Sequence, residues 1–274
     1  MTPDSRRGQT LRLALAALIT LLNIAPLVWI FSSGFKTQAE IFQIPPVWIP
    51  DSLYLENFKV IISENLPFLL NSIIIASMST VLCLILAMPA AFALARFFIP
   101  GKKHLRMWII STRMMPPIAA ALPLFLIVKG LGLFDTKIAM ILLYAGFNLP
   151  FAIWMSLTFM RNLPGELIEA ALIDGCSWRQ VFLKVVVPIS RTGIATVGIF
   201  AFLFAWNELL FALFMTSRNA KTFPVVLTEF QGQTNTVWEQ MAAASAFQVV
   251  PVIVMTLLVQ RYIVSGLTMG AVKG

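Results

Sequence analysis

Charged residues are scarce in this sequence of 274 residues. Asp, Glu, Lys and Arg make up 12% of it, whereas soluble domains carry about 25%. Hydrophobic residues make up 59%, and the mean hydropathy is +0.86. This composition excludes an ordinary soluble domain and predicts an integral membrane protein.

Potential metal ligands and reactive groups are also few. The sequence has one histidine, His104, and two cysteines, Cys83 and Cys176. None of them has a second Cys or His at metal-ligand spacing, so no metal site is predicted. The two cysteines lie in an apolar run and in a polar segment, which the topology below assigns to different compartments, so no disulfide is predicted either.

A nucleotide-binding loop of the form G-x-x-x-x-G-K-[ST] is missing as well. ATP must therefore bind to another protein if the function depends on it. We expect the chain not to be an enzyme by itself and to hold no cofactor.

The sequence does contain long apolar runs. A bilayer core of about 30 Å requires roughly 20 helical residues. Six segments meet or nearly meet this length, and they are 11–33, 68–95, 107–128, 138–160, 190–215 and 241–262. The first is longer than the core of a signal peptide and lacks an evident A-x-A cleavage site, so we expect an uncleaved anchor. The predicted fold class is an all-α integral membrane protein, with about six transmembrane helices in a single domain over 1–274.

The basic residues fall mainly on one side of these spans. Thirteen Lys and Arg residues flank one side and six the other, while Arg113 lies within a span. The six are Lys36, Lys59, Lys129, Lys137, Arg218 and Lys221. The positive-inside rule then predicts that both termini are cytoplasmic. The net charge of +8 follows from this topology and does not indicate a nucleic-acid partner.

A polar segment, 161–188, separates the fourth and fifth predicted spans on the cytoplasmic side, and most of it reads EAALIDGCSWRQVFLKVVVP. Pro164 is suited to the start of a short helix, and Gly175 supplies a turn after Asp174. Ser177 and Gln180 have the spacing of a capping box, which predicts a second short helix. Pro188 marks the entry to the fifth span, where it can kink the chain.

The first short helix has features of a docking element. Ala170 and Ala171 on its surface would allow another backbone to approach closely, and Glu169 and Asp174 flank them as hydrogen-bond or ion-pair partners. One interpretation is that the helix docks into a groove of a soluble protein. The other is that it lies flat on the membrane and stabilises a long loop. The residues alone favour neither.

The segment resembles the EAA loop of bacterial ABC-importer permeases. The residues that match its pattern are Glu169, Ala170, Ala171, Asp174, Gly175 and Pro188. Cys176 departs mildly from it, since the family commonly has alanine there. The resemblance favours docking, because in that family this loop is the coupling helix, which sits in a cleft of the ATP-hydrolysing subunit.

Three further stretches are similar to the maltose-type carbohydrate permeases: FAWNELLFAL at 204–213, QRYIVSGLTMGAVKG at 260–274 and IFQIPPVWIPDSLYLENF at 41–58. The resemblance implies a type I importer fold in the bacterial cytoplasmic (inner) membrane. It also implies four kinds of partner: a second permease, two cytoplasmic ATPase subunits that bind the ATP, an extracytoplasmic sugar-binding protein and the lipid bilayer.

Candidate pathway residues are the polar side chains inside spans. Arg113 and Glu208 are ionisable, which suggests a pathway or a structural pairing. Their depths differ by about 10 Å, so a direct ion pair between them is not expected. Asn71, Asn148 and Asn207 could hydrogen-bond a sugar hydroxyl, or could join helices within the membrane.

Three rival functions remain at this point. An ion-coupled secondary transporter would use Glu208 and Arg113, and would be independent of ATP. A purely structural membrane subunit would tolerate replacement of every polar residue in the spans. An ABC permease could instead carry a non-sugar solute such as an amino acid or phosphate.

Overall fold

The computed structural model describes the backbone of residues 6–231 and 236–271 and the side chains of residues 8–231, 236–258 and 260. In this part of the chain every regular element is helical, apart from one isolated bridge between Gln231 and Thr236. The helices are α1 (Arg6–Gly34), α2 (Gln38–Ile41), α3 (Glu56–Arg96), α4 (Lys102–Ser111), α5 (Pro117–Gly130), α6 (Lys137–Arg161), α7 (Gly165–Ile173), α8 (Trp178–Val181), α9 (Val187–Ile189), α10 (Arg191–Trp206), α11 (Leu210–Met215), α12 (Phe223–Glu229) and α13 (Trp238–Ala271). The all-α prediction is confirmed.

Among the described residues, four helices are long and apolar enough to span a membrane by themselves, and they are Gly8–Gly34, Glu56–Arg96, Lys137–Arg161 and Trp238–Leu258. Two bent pairs raise the number to six if each pair counts as one span. Such helices satisfy their own backbone hydrogen bonds, which a lipid environment requires. The helical content and the four to six candidate spans agree with the predicted fold class.

The third and fifth predicted spans are not continuous helices, and this is a correction. Within 107–128 the chain turns by 91° between α4 and α5, where Pro116 and Pro117 follow a short 3-10 turn at Thr112–Met114. The residue before a proline is pushed out of the helical region, which explains the break.

The predicted span 190–215 is divided as well. The helical stretch Trp178–Ile189 meets α10 at 79°, and α10 ends at Trp206 before α11 begins at Leu210. Asn207 and Glu208 occupy the gap, where their side chains bond to backbone groups in place of a continuing helix.

The chain divides into two compact units. Unit 1 comprises Met1–Leu66 and Leu227–Val250. In it Gly34 lies close to α13, because an added Cβ would be 3.1 Å from the Cα of Ala243. Trp29 packs against Trp48 with ring centroids 5.2 Å apart, and Asn57 donates to the carbonyl of Gly34. These contacts fold the first interhelical segment onto its flanking helices.

Unit 2 comprises Pro67–Val226 and Pro251–Gly274 and contains two hydrophobic clusters. One joins α3, α6 and α10 with the short helix α7. The other joins α3, α5, α6, α10 and α11. Because α6 runs through both clusters, the segment after its C-terminus lies at one end of unit 2 and the α5–α6 turn at the opposite end. The prediction of one permease domain over 1–274 stays a prediction.

Candidate functional site

The segment that follows α6 has the local structure expected from its residues. Pro164 precedes α7, and Gly175 has a φ of +83°, a conformation that a Cβ would strain. Ser177 caps α8 and Gln180 bonds back to the Ser177 backbone, so the predicted capping box is present. Two short helices joined by a tight glycine turn therefore follow the fourth span.

The short helix α7 has one buried face, which packs against the protein, and one exposed face. Ile168 and Ala171 are buried in the first hydrophobic cluster. Leu167, Ala170 and Ile173 are exposed, and Ile173 retains 86% of its accessible surface. The prediction that both alanines lie on the surface is wrong for Ala171, because successive residues of a helix lie about 100° apart and Ala171 faces the cluster.

The two acidic residues of the EAA pattern are both free to bind a partner. Glu169 and Asp174 are exposed. In the part of the chain that the structure describes, neither forms an ion pair or a side-chain hydrogen bond. The exposed face of α7 therefore combines apolar side chains with two carboxylates.

An arginine at the end of α3 fixes the start of this segment. The guanidinium of Arg96 donates to the carbonyl of Met160 at 3.2 Å and to that of Leu163 at 2.5 Å. These carbonyls lie at or just past the C-terminus of α6, where a cation is favourable. Arg96 thus ties α3 to the entry of the α7 segment. From the sequence alone, Arg96 is recognisable only as one of the basic residues that set the topology.

Aromatic rings fix the other side of the segment. Trp178 at the start of α8 packs against Phe97 with centroids 4.7 Å apart. Phe182 packs against Phe92 of α3 at 5.4 Å. Such pairs add stabilisation of about 0.5–1.5 kcal/mol each beyond the area they bury. These rings therefore pack α8 and the turn after it directly against the C-terminal part of α3 and Phe97.

Pro188 lies where the helix changes form. A π-helical turn occupies Phe182–Val186 immediately before it, and the chain bends at Ser190 before α10. Proline has no N–H and crowds the preceding turn, so a wider turn is a natural accommodation. The kink predicted at Pro188 is present as this turn and bend.

The break between α10 and α11 is organised by Glu208. Its carboxylate accepts from the N–H of Phe211 at 2.9 Å and of Ala212 at 3.4 Å. The Tyr144 hydroxyl donates to the Glu208 carbonyl. Glu208 therefore caps the first turn of α11, a role typical of a side-chain carboxylate at a helix start. Asn207 is exposed beside it, and its amide donates to Leu203 of its own helix.

Two other candidate amides join different segments of unit 2. Asn148 is buried in α6 and donates to the carbonyl of Ala201 in α10. Asn71, near the start of the unit 2 part of α3, donates to the carbonyls of Asn219 and Lys221 at 2.9 and 3.0 Å. The Asn148 contact joins two helices, as weighed from the sequence, whereas Asn71 joins α3 to the segment between α11 and α12.

Arg113 lies in the break between α4 and α5. Its guanidinium is 5.6 Å from the ring centroid of Phe151 and 5.2 Å from that of Phe204. The Arg113 guanidinium therefore interacts with these two aromatic rings, and it forms no ion pair with Glu208. A cavity of about 380 Å³ lies beside it, and Thr112, Phe147 and Pro150 are among its walls.

The candidate residues thus form two groups, not one site. Those of the EAA pattern gather on and around α7, next to the first hydrophobic cluster. Those inside spans are divided between the breaks at 112–116 and 207–209, the bond of Asn148 to α10 and the bonds of Asn71 to the segment between α11 and α12.

A side chain that the sequence analysis did not single out organises the opposite end of unit 2. Asp135, in the α5–α6 turn, has a φ of +58°, and its carboxylate accepts from four successive backbone N–H groups, those of Ser217, Arg218, Asn219 and Ala220. Burial acts to raise the pKa of Asp135, but these four donors outweigh it and hold the pKa below its usual value.

Comparison with known proteins places this architecture in one family. The family described as binding-protein-dependent transport system inner membrane component matches residues 84–268. This range contains α7, both breaks and the Asp135 turn.

Curated relatives match over almost the whole chain. The sulfoquinovosyl glycerol transport system permease protein SmoH of Agrobacterium fabrum is 35% identical, with 97% of this chain and 95% of the relative covered. The trehalose transport system permease protein SugB of Mycobacterium tuberculosis is 38% identical, with 98% and 99% covered.

A solved structure has the same fold. One chain of a bacterial ABC transporter involved in the import of the acidic polysaccharide alginate superposes with a TM-score of 0.80. The superposition covers 96% of this chain and 99% of the other, at 22% identity.

Proposed function

Because the chain belongs to the family of inner-membrane components of binding-protein-dependent transport systems, we propose that it is one permease half of an ATP-driven importer for a sugar or sugar derivative. Two relatives similar to it over nearly their whole length are named as permeases for sugar derivatives or sugars, namely sulfoquinovosyl glycerol and trehalose. These names support a carbohydrate over an amino acid or phosphate.

The proposed complex has the partners that the resemblance implies. A second permease completes the pathway, two cytoplasmic ATPase subunits bind and hydrolyse ATP, and an extracytoplasmic sugar-binding protein delivers the solute. The excess of basic residues supports an orientation in the bacterial inner membrane with both termini and α7 in the cytoplasm. Residues 1–5 and 272–274 of these termini lie outside the described residues, as do residues 232–235 of the outer loop 216–240.

The coupling proposal rests on one observation: α7 exposes one face while its other face and its flanking residues are packed against the protein. Leu167, Ala170 and Ile173 offer apolar contact, and Glu169 and Asp174 offer charge. We infer that this face enters a cleft of the ATPase subunit. When ATP closes the ATPase dimer, α7 moves with it, and Arg96 and the aromatic pairs pass the displacement to α3.

The transport step then is alternating access between two packings of the spans. Irregular backbone at membrane depth is tolerated where it is buried in protein or lines a cavity. The breaks at 112–116 and 207–209 fit this condition, which supports a pathway or gate role for Arg113, Asn207 and Glu208. Their contacts within the chain also support a mainly structural role for Glu208, as the cap of α11.

The coupling proposal is tested with Gly175→Pro. Proline cannot adopt the φ of +83° and would remove the N–H that bonds to Leu172. We expect the variant to reach the membrane and to lose the ATPase on copurification. Gly132→Pro is a matched control, because Gly132 has a φ of +69° and its N–H bonds to Lys129 in the same way, at the opposite end of unit 2.

A second variant separates docking from folding. Glu169→Lys reverses one exposed charge without touching the core, and it should weaken ATPase binding while membrane insertion stays normal. Asp51→Lys, in the first predicted outer loop, is its control. Normal ATPase copurification with both Gly175→Pro and Glu169→Lys would reject α7 as the coupling element.

The family and its sugar-permease relatives favour the ATP-driven importer over the ion-coupled transporter that Glu208 suggested from the sequence. ATP dependence of uptake separates the two functions. Uptake that persists without ATP and responds to an ion gradient would favour the ion-coupled reading.

A further inference from the structure

Arg113 carries a positive charge that no described residue neutralises. In the part of the chain that the structure describes, its guanidinium forms neither an ion pair nor a hydrogen bond. Glu208, the other ionisable residue considered above for the pathway, is bound instead by the N–H groups of Phe211 and Ala212. The two aromatic contacts of Arg113 attract the cation but do not neutralise it. Its N–H donors therefore remain available to an acceptor from outside this chain.

The guanidinium of Arg113 lies near the middle of a long spanning helix. It contacts Phe151 of α6, which is about 20 Å from the start of that helix and about 15 Å from its end at about 1.5 Å per residue. The hydrocarbon core of a bilayer is about 30 Å thick. A lipid headgroup would thus have to descend about 15 Å to meet this charge. Charges at such a depth normally face the protein interior or a water-filled cavity.

Two helix breaks come together beside this charge. Arg113 belongs to the break 112–116, and its guanidinium is 5.2 Å from the ring of Phe204, one turn before Asn207 in the other break. Arg113 also lines the cavity of about 380 Å³, a volume within the range of small-molecule sites. Gly146 forms another part of its wall, where an added Cβ would meet nothing within 4 Å. There is therefore room for a small ligand next to the cation.

Aromatic rings and an amide accompany the cation. The rings of Phe151, Phe200 and Phe204 contact one another, with centroids 6.1, 5.0 and 6.4 Å apart. Phe200, Phe204 and Asn207 share one face of α10, because residues three and four apart are neighbours on a helix. Phe204 and Asn207 are exposed, and the Asn207 side-chain oxygen accepts no hydrogen bond from a described residue. Such rings can pack against the C–H groups of a sugar, and an amide oxygen can accept from its hydroxyl groups.

We propose that this group, the arginine face (Arg113, Phe151, Phe200, Phe204 and Asn207), binds an anionic substituent of the transported sugar, such as a carboxylate or a sulfate. The inference rests on the proposed function and names the substrate class within it. A guanidinium pairs with such groups through two parallel hydrogen bonds. A neutral sugar could use Asn207 and the rings as well, but it would leave the positive charge uncompensated. The charge of Arg113 therefore selects an acidic sugar.

The test compares two sugars that differ in one group. Glucuronate carries a carboxylate at the position where glucose carries a neutral CH2OH group. The membrane complex is purified without nucleotide and without the solute-binding protein, which would itself bind sugar. Binding is measured by equilibrium dialysis in nanodiscs of zwitterionic lipid, which leave both membrane faces accessible. We expect the wild type to bind glucuronate about tenfold or more tightly than glucose, and inorganic sulfate to compete with it.

Variants of Arg113 assign the preference to this side chain. Arg113→Gln should bind the two sugars equally, because the charge is gone. Arg113→Lys should keep part of the preference, since it keeps the charge but loses the planar fork. Arg106→Gln removes one positive charge from α4 outside the break and should behave as the wild type. The wild-type comparison needs no variant, so the test stays decisive even if Arg113→Gln fails to fold.

Three results would overturn the arginine face. The first is equal binding of the two sugars by the wild type, or no measurable binding of glucuronate; equality is also expected if a carboxylate of the second permease neutralises Arg113. The second is an Arg113→Gln complex with the wild-type preference. The third is loss of glucuronate binding when anionic lipid replaces zwitterionic lipid, since a headgroup would then hold the site.

ATP-dependent sugar uptake by the wild type is measured separately in vesicles, with the solute-binding protein present. Uptake together with equal binding of the two sugars overturns only the arginine face. A preference for glucuronate that depends on Arg113, without any ATP-dependent uptake, would place the fault in the proposed function.

Discussion

Three substitutions of Asp135 test the structure, because they separate the contribution of its carboxylate from that of its backbone conformation. Its carboxylate accepts from four N–H groups, and its backbone has a φ of +58°. Asp135→Asn keeps a residue that tolerates this φ but removes the charge and one acceptor oxygen. Asp135→Gly relieves the backbone and removes the whole side chain. Asp135→Ala removes the carboxylate and adds strain.

The expected magnitudes follow from the individual bonds. One carboxylate oxygen accepts from Ser217, Arg218 and Ala220, and the other from Arg218 and Asn219. An asparagine can keep the first set and loses the second. Hydrogen bonds to a charged group contribute about 1.5–3 kcal/mol each, and water replaces part of this at exposed positions.

We therefore expect a loss of about 2–3 kcal/mol in the free energy of unfolding for Asp135→Asn. Asp135→Gly should cost about 3–4 kcal/mol, because it also leaves the buried N–H of Ala220 without a partner. Asp135→Ala should cost about 1 kcal/mol more than the glycine variant. Denaturation in mixed micelles, followed by tryptophan fluorescence, measures these differences.

The same residue predicts a dependence on pH. Because the pKa of Asp135 is lowered in the folded protein, its contribution is complete above the ordinary value of about 3.9 and is lost as the pH falls through the folded pKa. The stability gap between wild type and Asp135→Asn should be constant near pH 7 and should shrink below about pH 4. An asparagine variant within about 0.5 kcal/mol of wild type at pH 7 would refute the reasoning.

Two further predictions concern the spans. Gly193→Ala should destabilise the contact of α10 with α6 by about 1–3 kcal/mol, because its Cβ would lie 2.7 Å from Cγ of Phe159. In the control variant Gly146→Ala the new Cβ meets nothing within 4 Å, so this change should be neutral or stabilising. Equal stability of the two variants in the same micelle assay would contradict the packing. Glu208→Gln should lower uptake without dissociating the complex, since the amide keeps one acceptor for α11 and loses the charge, and unchanged uptake would leave Glu208 a purely structural cap.

The sequence predicted those features that depend on local chemistry or on composition. Apolar runs predict helices, because a bilayer leaves the backbone few alternatives. The capping box at Ser177 and the glycine turn at Gly175 depend on residues three or fewer positions apart, and both are present.

Features that depend on distant residues were not predictable in the same way. Arg96 binds carbonyls more than 60 residues away, and Asp135 binds a turn more than 80 residues away. Nothing in the neighbouring sequence identifies either partner. The aspartate had one weak local signal, since it follows a glycine turn and precedes Thr136, whose side chain caps α6.

The breaks in two predicted spans have a similar cause. Hydropathy averages over polar residues, so a window that includes Arg113 or Glu208 still reads as apolar. At each break, tertiary packing decides which side chain replaces the missing helical hydrogen bonds of the backbone. The burial of Ala171 was missed for a related reason. Its position around the helix axis decides whether it faces the protein, and the motif alone does not specify that orientation.

The most direct test of the importer account is the set of proteins that purify with this chain. We would extract the tagged protein from its native membrane in mild detergent and identify its partners by mass spectrometry, after crosslinking and without it. The account predicts an ABC ATPase together with a second permease. Recovery of the chain alone or as a homodimer under both conditions would contradict it.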